Sequence, residues 1–209
     1  LTGNGYEVSI VLPNKISNYF RTLDIKTITD ETAAEAITLF GLSRHLDTWT
    51  PPKESYRMLR QIIRERDQIL QSRTAAKNQL HAENAGAYPH KSSVKRTQKL
   101  IAFLDKQEQE INQEIKELVQ NDPEIKKTLK VLCTIPGIGL LTASTVLAET
   151  NGFDLIRNKR QLVSYAGLDV REKISGTSVK GKPRISKKGN RYLRKAMHFP
   201  ALAAIRHDE

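Results

Sequence analysis

Two glycines and a proline interrupt an otherwise helical and highly charged part of the chain. Gly137 and Gly139 lie in the segment TIPGIGLLTAS, directly before residues that predict a helix. Glycine lets a backbone approach a ligand closely, and the free amides at a helix N-terminus attract anions. The segment therefore predicts an anion-binding loop, for which a mononucleotide, a dinucleotide and a DNA phosphate are candidate ligands.

The residues around this loop discriminate between these ligands. A Walker loop needs a lysine and a preceding strand, whereas this loop has no lysine and follows a predicted helix. A dinucleotide-binding turn needs three glycines after a strand. The order helix, P-G-I-G, helix resembles instead the helix-hairpin-helix element of DNA-binding proteins, whose amides hold a phosphate without reading sequence. The alternative is a plain turn packed between two helices.

Positive charge is concentrated near the C-terminus. The net charge is +11, and residues 173–207 contain no Asp or Glu, which leaves the rest of the chain near neutral. Such a block predicts a polyanion-binding surface, because each neutralised phosphate releases condensed counterions. The alternative is a solvated basic tail, which the glycine turns and the patterned helix in the block disfavour. The basic residues are Lys173, Lys180, Lys182, Arg184, Lys187, Lys188, Arg191, Arg194, Lys195 and Arg206.

Other features of the composition narrow the class of protein. Cys133 is the single cysteine, which excludes an internal disulfide framework and a cysteine-rich zinc site. The sequence has no signal peptide and no apolar run long enough to span a bilayer, so we expect a cytoplasmic protein with no membrane partner. Because the chain begins at Leu1 and not at Met, we expect either a fragment or a chain whose start has been cleaved or is absent.

The first section, residues 1–46, has the character of an α/β domain. YEVSIVLP predicts a buried strand that ends at Pro13, NKISNYFRTL predicts a helix, and a second helix is predicted to begin near Asp30. These few elements do not complete an α/β domain, so we expect further strands before Leu1.

The second section, residues 47–120, consists of a linker followed by two stretches with coiled-coil spacing. A glycine-containing loop separates the stretches, which predicts an antiparallel helical hairpin that forms an arm; an ordinary helical bundle is the alternative. Arg66 and Arg73 interrupt the first apolar seam, and we expect the arm to need a partner such as another copy. The apolar seam positions are Leu59, Ile62, Ile69, Ala76 and Leu80, then Ile101, Leu104, Ile111, Ile115 and Leu118.

The third section, residues 121–209, is predicted to be mainly helical. Asn121 or Asp122 is expected to cap a helix that begins at Pro123. The glycine loop and another helix follow, and that helix is expected to stop at Asn151. A glycine- and lysine-rich stretch then predicts a loop or short hairpin. Asn190 is expected to cap a last, basic helix.

Three motifs in this order resemble the transposases of the insertion-sequence-110 family. They are TIPGIGLLTASTVLAE, LVSYAGLD and SGTSVKGKPRISKKGNRYLRKA. Each motif is weak alone, but their order and spacing extend the resemblance over essentially the whole chain. The resemblance implies a partial RuvC-like domain of the RNase H fold, a coiled-coil arm and a transposase domain, which is a mixed α/β and α architecture.

The resemblance also implies a reaction and its participants. Members of the family are bridge-RNA-guided serine recombinases related to the Piv invertase, which implies DNA, guide RNA and a dimer or tetramer as partners. Ser175, in ISGTS, matches the family's Ser-Gly motif and is our candidate nucleophile; Ser178, Ser186 and Ser164 are the other candidates. The residues expected to hold nucleic-acid phosphates are Gly137, Gly139, Lys180, Lys182, Arg184, Lys187, Lys188, Arg191 and Arg194.

The sequence departs from the family at the acidic site. The family's last two carboxylates form a D-x-x-D-A pattern that can share Mg²⁺ on one helix face. Asp30 occupies the first position, but Ala33 stands at the second and cannot ligate a metal. Glu31 and Glu35 are nearby on other faces of the predicted helix. Cleavage by this chain is therefore in doubt, whereas binding of DNA and RNA is not affected.

Two other functions remain open at this point. A RuvC-like metal nuclease, such as a junction resolvase, would hydrolyse DNA without a covalent serine. An architectural DNA- or RNA-binding protein would use the glycine hairpin and the basic helix without any catalysis, and Ala33 mildly favours it.

Overall fold

The computed structural model describes residues 2–23, 25–175 and 179–207. The chain divides into two units, Leu1–Pro52 and Lys53–Glu209. In the described residues, no helix is both long and apolar enough to cross a membrane. The helices and strands are α1 Pro13–Phe20, α2 Asp30–Leu42, α3 Glu54–Ala85, α4 Lys91–Asn121, α5 Pro123–Leu132, α6 Leu140–Thr150, α7 Lys159–Tyr165, β1 Val170–Ser175, β2 Val179–Ile185, α8 Arg191–Ala196 and α9 His198–His207.

The first unit consists of α1 and α2, a short 3-10 helix at Thr2–Asn4 and irregular segments around them. Thr29 caps α2, because its hydroxyl accepts from the amide of Thr32 while the Thr32 hydroxyl accepts from the amide of Thr29. Tyr19 of α1 meets Phe40 of α2 edge to face, with ring centres 5.2 Å apart. The two helices predicted in this section are therefore confirmed.

The strand predicted from YEVSIVLP is wrong. Residues 6–12 have no regular secondary structure, and their side chains are exposed or half-buried. An isolated strand leaves its backbone groups unpaired, and the described part of this unit has no other strand to pair with it. The only sheet in the described residues is the β1–β2 pair of the second unit.

Helices α3 and α4, of 32 and 31 residues, form the predicted antiparallel hairpin. Leu59, Ile111 and Ile115 are buried between them, as the apolar seams predict. Knobs-into-holes coiled-coil packing and the section boundaries at residues 46 and 120 stay predictions.

The arginines in the seam have partners within the same chain. Arg66 pairs with Glu108 at 2.6 Å and donates to Asn112, while Arg73 pairs with Asp105 at 2.7 Å and also with Glu108. The expectation that these arginines make the arm need a partner is therefore wrong, because both are paired within the chain. The oligomeric state itself stays a prediction.

Helix α6 occupies the centre of the second unit. Its Ala143 and Leu147 are fully buried in a cluster with the base of the hairpin and with α5. Its Val146 packs in a second cluster with Ala166 and with Leu193 of α8. The most buried helix thus joins the hairpin base to the basic C-terminal elements.

Candidate nucleic-acid interface

The glycine loop joins α5 to α6, as the sequence predicts. Asp122 caps α5 by accepting from the amides of Glu124 and Ile125, and Pro123 occupies the first turn. Gly137 has a φ of +83°, and a Cβ added there would lie 2.5 Å from the Cβ of Ala203 in α9. Gly137 therefore has a packing role: it lets the loop turn and approach α9.

Gly139 is placed differently from Gly137. It is the N-cap of α6 with no side-chain cap, and a Cβ added there would meet no described atom within 4 Å. The first amides of a helix have no intrahelical partner, so this end can accept an anion. A shallow cleft of about 400 Å³ lies here, and its lining includes Lys116 and Thr142. The two glycines of the motif thus have separate roles.

Strands β1 and β2 form an antiparallel ribbon in the glycine- and lysine-rich stretch. Arg171 and Arg184 are directly opposite each other, and both are exposed. Opposite residues carry their side chains on one face with Cβ atoms about 5 Å apart, and like charges at this position repel. Pro183, which has no N–H to donate, lies where the register shifts. An anion on this face would relieve the repulsion.

The four candidate serines occupy different places. Ser175 is the last residue of β1 and is paired with Val179 across the ribbon, and nothing is described of its side chain. Ser178 lies outside the described residues. Ser164 is exposed on α7. The hydroxyl of Ser186 donates to Asp169 Oδ1 at 2.7 Å and closes the other end of the ribbon.

The predicted phosphate-binding side chains are not equally free. Lys182, Lys187, Lys188 and Arg191 are exposed, and nothing is described of the side chain of Lys180. Arg194 donates from Nη1 to the carbonyl oxygen of Ala166 at 2.7 Å, so it holds α8 against the end of α7.

Helix α8 is capped as predicted and is attached to the hairpin, but it is not the last helix, because it ends at Ala196 and α9 follows it. The Asn190 side chain accepts from the amides of Tyr192 and Leu193. Lys195, which follows in the same helix, forms an ion pair with Asp67 of α3. The guanidinium of Arg64 in α3 lies 4.9 Å from the ring centre of Tyr192.

Sequence reasoning missed a buried carboxylate beneath this surface. Glu149 is 1% exposed, and it accepts from Arg64 Nε and Nη2 at 2.8 Å each and from Asn190 Nδ2 at 2.6 Å. Burial raises its pKa, but the hydrogen bonds from Arg64 and Asn190 and the charges of Arg64 and Arg60 outweigh it, so the pKa lies below its ordinary value. The sequence did contain one indication of this buried carboxylate, because Glu149 is the only charged residue in the otherwise apolar and small segment LLTASTVLAET.

The acidic positions of the first unit lie at the start of α2. Asp30 is exposed in the first turn, and Ala33 is half-buried one turn further on. In the described parts of the chain, no group of three or more His, Cys, Asp or Glu residues could hold a metal ion. The described residues therefore do not fit the Mg²⁺ site that the family resemblance implies.

Two family models match the chain, and both describe transposases. The DEDD transposase model of the IS110 group matches residues 1–89, and the IS116/IS110/IS902 transposase model matches residues 129–209. The matched ranges together cover most of the sequence, and the chain belongs to the IS110/IS116/IS902 transposase family.

Curated relatives agree with this membership. The chain is 28% identical over 200 residues to the pilin gene-inverting protein of Moraxella bovis, covering 94% of the chain and 59% of the relative. It is 24% identical over 230 residues to the transposase for insertion sequence element IS1111A of Coxiella burnetii, covering 98% of the chain and 61% of the relative. The chain thus spans about three fifths of these relatives.

Proposed function

We propose that the chain is part of an RNA-guided DNA recombinase that exchanges the strands of an insertion sequence through a covalent serine–DNA intermediate. The observation that carries this proposal is the match to two transposase models in the family's order. The names of the relatives, a gene-inverting protein and a transposase, support a DNA-rearranging reaction. The last residue of β1, Ser175, matches the serine position of the family motif.

The chemistry assigned to Ser175 conserves the energy of the broken bond. Its hydroxyl oxygen attacks the phosphorus of a DNA phosphodiester, the serine proton passes to a base or to solvent, and the DNA hydroxyl on the other side leaves. The product is a phosphoserine ester, and attack by another DNA hydroxyl rejoins the strand and releases the serine. No high-energy cofactor is consumed.

The exposed basic residues would hold the nucleic acid while base pairing selects the target. The Arg171–Arg184 pair of the ribbon, the open N-terminus of α6 at Gly139 and the exposed Arg191 support this role. Such contacts neutralise phosphates without reading sequence. A guide RNA would then supply specificity, as in other guided systems. We also propose a dimer or tetramer, which sedimentation in the presence of RNA tests.

The acidic site limits what this chain can catalyse. Ala33 stands where the family motif has a carboxylate, and Asp30 has no described partner of the kind that Mg²⁺ requires. We therefore assign no step to a metal, and we propose that Ala33 weakens strand cleavage while leaving nucleic-acid binding intact.

The test compares the full-length protein with its Ala33→Asp variant, each with co-purified RNA, magnesium and a DNA target. We expect the Ala33→Asp variant to become covalently attached to DNA, with the link mapped by mass spectrometry to Ser175. Ser175→Ala in the same background is the control and should abolish the link. Strand exchange without any protein–DNA link would overturn the serine mechanism.

A metal-dependent nuclease is the second candidate, because the matched N-terminal model is a DEDD domain. A hydrolase that acts through water keeps its activity in the Ser175→Ala variant and leaves no protein attached to the cut strand. Cutting by that variant would therefore favour a junction resolvase.

An architectural role is the third candidate, and Ala33 is the observation that favours it. Binding with a steep salt dependence, and no cleavage by either the chain or its Ala33→Asp variant with any divalent metal, would support it.

A further inference from the structure

A cleft on α3, outside the basic residues 173–207, is lined by positively charged side chains that have no role in the proposed function. Its volume is about 540 Å³. Among its described lining residues, Glu65 is the only acidic one. The lining residues are Arg57, Arg60, Gln61, Arg64, Glu65 and Gln68.

The spacing of these residues places them on one side of the helix. They recur every three or four residues, whereas Leu59, Ile62 and Ile63 are buried in the core. Arg57 and Arg64 are seven residues apart, which is about 10 Å along a helix. DNA carries one charge per about 1.7 Å of axis, so this stretch can face more than one phosphate.

The core fixes two of the arginines in the cleft. Arg60 Nε donates to the carbonyl oxygen of Ala148 at 2.8 Å, which holds a cation at the C-terminal end of α6. Arg60 Nη2 is shielded from solvent and has no acceptor among the described residues. Arg64 is held by Glu149 but keeps 44% of its side chain exposed. Arg60 is held at Nε and Arg64 at Nε and Nη2, so each guanidinium is preorganised to bind an oxyanion with its remaining N–H groups.

The cleft continues onto the basic helix α8. The guanidinium of Arg64 lies 4.9 Å from the ring centre of Tyr192, and that of Arg191 lies at the same distance from this ring. Tyr192 thus connects the α3 arginines to a residue that the sequence assigns to phosphate binding. This continuity favours a polymer with several phosphates over a small free anion.

We propose that the α3 cleft, with Arg57 at its exposed end and Arg60 and Arg64 along it, is a second binding site for nucleic-acid backbone phosphates. The site extends the surface of α8 across the base of the helical hairpin. Arg57 is 67% exposed, and its described ion-pair partner, Glu54, is 3.7 Å away, so it is available to a phosphate. This inference rests on the proposed function only in that the chain must bind nucleic acid.

Two charge changes at exposed positions test the site. Arg57→Glu reverses a charge, and Gln61→Glu adds a negative charge beside Arg60 and Arg64 without touching the Glu149 contacts. Binding to a short DNA duplex and to a stem-loop RNA is titrated against salt. The affinity decreases with salt, and we expect the magnitude of the slope of log affinity against log salt to be smaller by about one in each variant. This change should be seen with the DNA duplex, with the RNA stem-loop or with both.

Lys77→Glu is the matched control, because Lys77 is exposed on the same helix about 30 Å from Arg57 along the axis. An unchanged slope in both cleft variants, or an equal loss in Lys77→Glu, overturns the cleft as a site. The probe whose slope falls identifies the bound polymer as DNA or RNA. If the unaltered chain binds neither probe, the proposed function itself has failed, and that result is distinct from a failure of the cleft alone.

Discussion

Arg64 and Glu149 are 85 residues apart in the chain and form a two-point ion pair in which Nε meets Oε1 and Nη2 meets Oε2, each at 2.8 Å. The pair joins the hairpin helix α3 to the central helix α6. Asn190, the cap of α8, donates to the same carboxylate. One buried carboxylate therefore fixes three elements, and the candidate phosphate-binding groups on α3, α6 and α8 all depend on its position.

The two sides of this ion pair should respond unequally to mutation. Arg64→Ala leaves the 1% exposed Glu149 without its counter-charge, and we expect a loss of about 3 kcal/mol in unfolding free energy. Glu149→Gln keeps a hydrogen-bond acceptor, and the only charge left without its partner is the half-exposed Arg64. We therefore expect a loss of about 1–2 kcal/mol in unfolding free energy. Urea denaturation measures both. Glu65→Ala, at an exposed neighbour, should change stability by less than about 0.5 kcal/mol.

Glu149 should also make stability depend on pH. Its pKa is lower in the folded state than in the unfolded state, where it is about 4.3. The carboxylate therefore makes its full contribution to the unfolding free energy above the unfolded pKa, and this contribution is lost as the pH falls through the folded pKa. We expect the stability difference between the chain and Glu149→Gln to be largest near neutral pH and to shrink in acid. A difference that grows below pH of about 4 would contradict this sign. Denaturation at a series of pH values measures it.

The two loop glycines should separate stability from binding. Gly137→Ala forces an L residue to a φ of +83° and a contact with Ala203, so we expect a loss of more than about 1 kcal/mol. Gly139→Ala places its Cβ in open space and should cost less than about 1 kcal/mol. If the amides at the start of α6 hold a phosphate, the Gly139→Ala variant should nevertheless bind DNA more weakly. Thermal melting and DNA titration distinguish the two effects, and unaltered binding by a folded Gly139→Ala protein would leave the loop as a plain turn.

The ribbon should become more stable when its repulsion is removed. Arg171→Glu converts the pair with Arg184 into opposite charges, which contribute about 0.2–1 kcal/mol. We expect slower hydrogen exchange of the ribbon amides together with a salt slope of DNA binding lowered by about one. Glu172→Gln, the next residue on the other ribbon face, is the control and should not lower the slope. Faster exchange in Arg171→Glu would show that repulsion does not act on the ribbon.

Local chemistry explains why much of the helical part was predictable. The Asp122 and Asn190 caps and the Asn151 stop depend on a few adjacent residues, and the structure confirms all three. The apolar seams predicted the hairpin for the same reason, since a periodic helix face follows from spacing alone.

Features that depend on distant partners were not predictable. The strand expected over residues 6–12 has no partner in the described part of its unit, so its β-branched residues remain irregular. Glu149 and Arg64 meet only after α3 and α6 have packed, and no local pattern links them. The assignment of Ser175 as nucleophile is still a prediction, because it comes from the resemblance alone.

The ion pairs of the hairpin constrain how this part of the protein can evolve. Arg66 and Arg73 are seven residues apart on α3, and both contact Glu108 on α4. A length change in only one helix, between these pairs and the turn at residues 86–90, would slide one helix past the other and separate both contacts. Equal numbers of residues gained or lost on the two helices preserve both contacts, so an arm of different length that keeps these ion pairs is expected to carry compensated insertions or deletions.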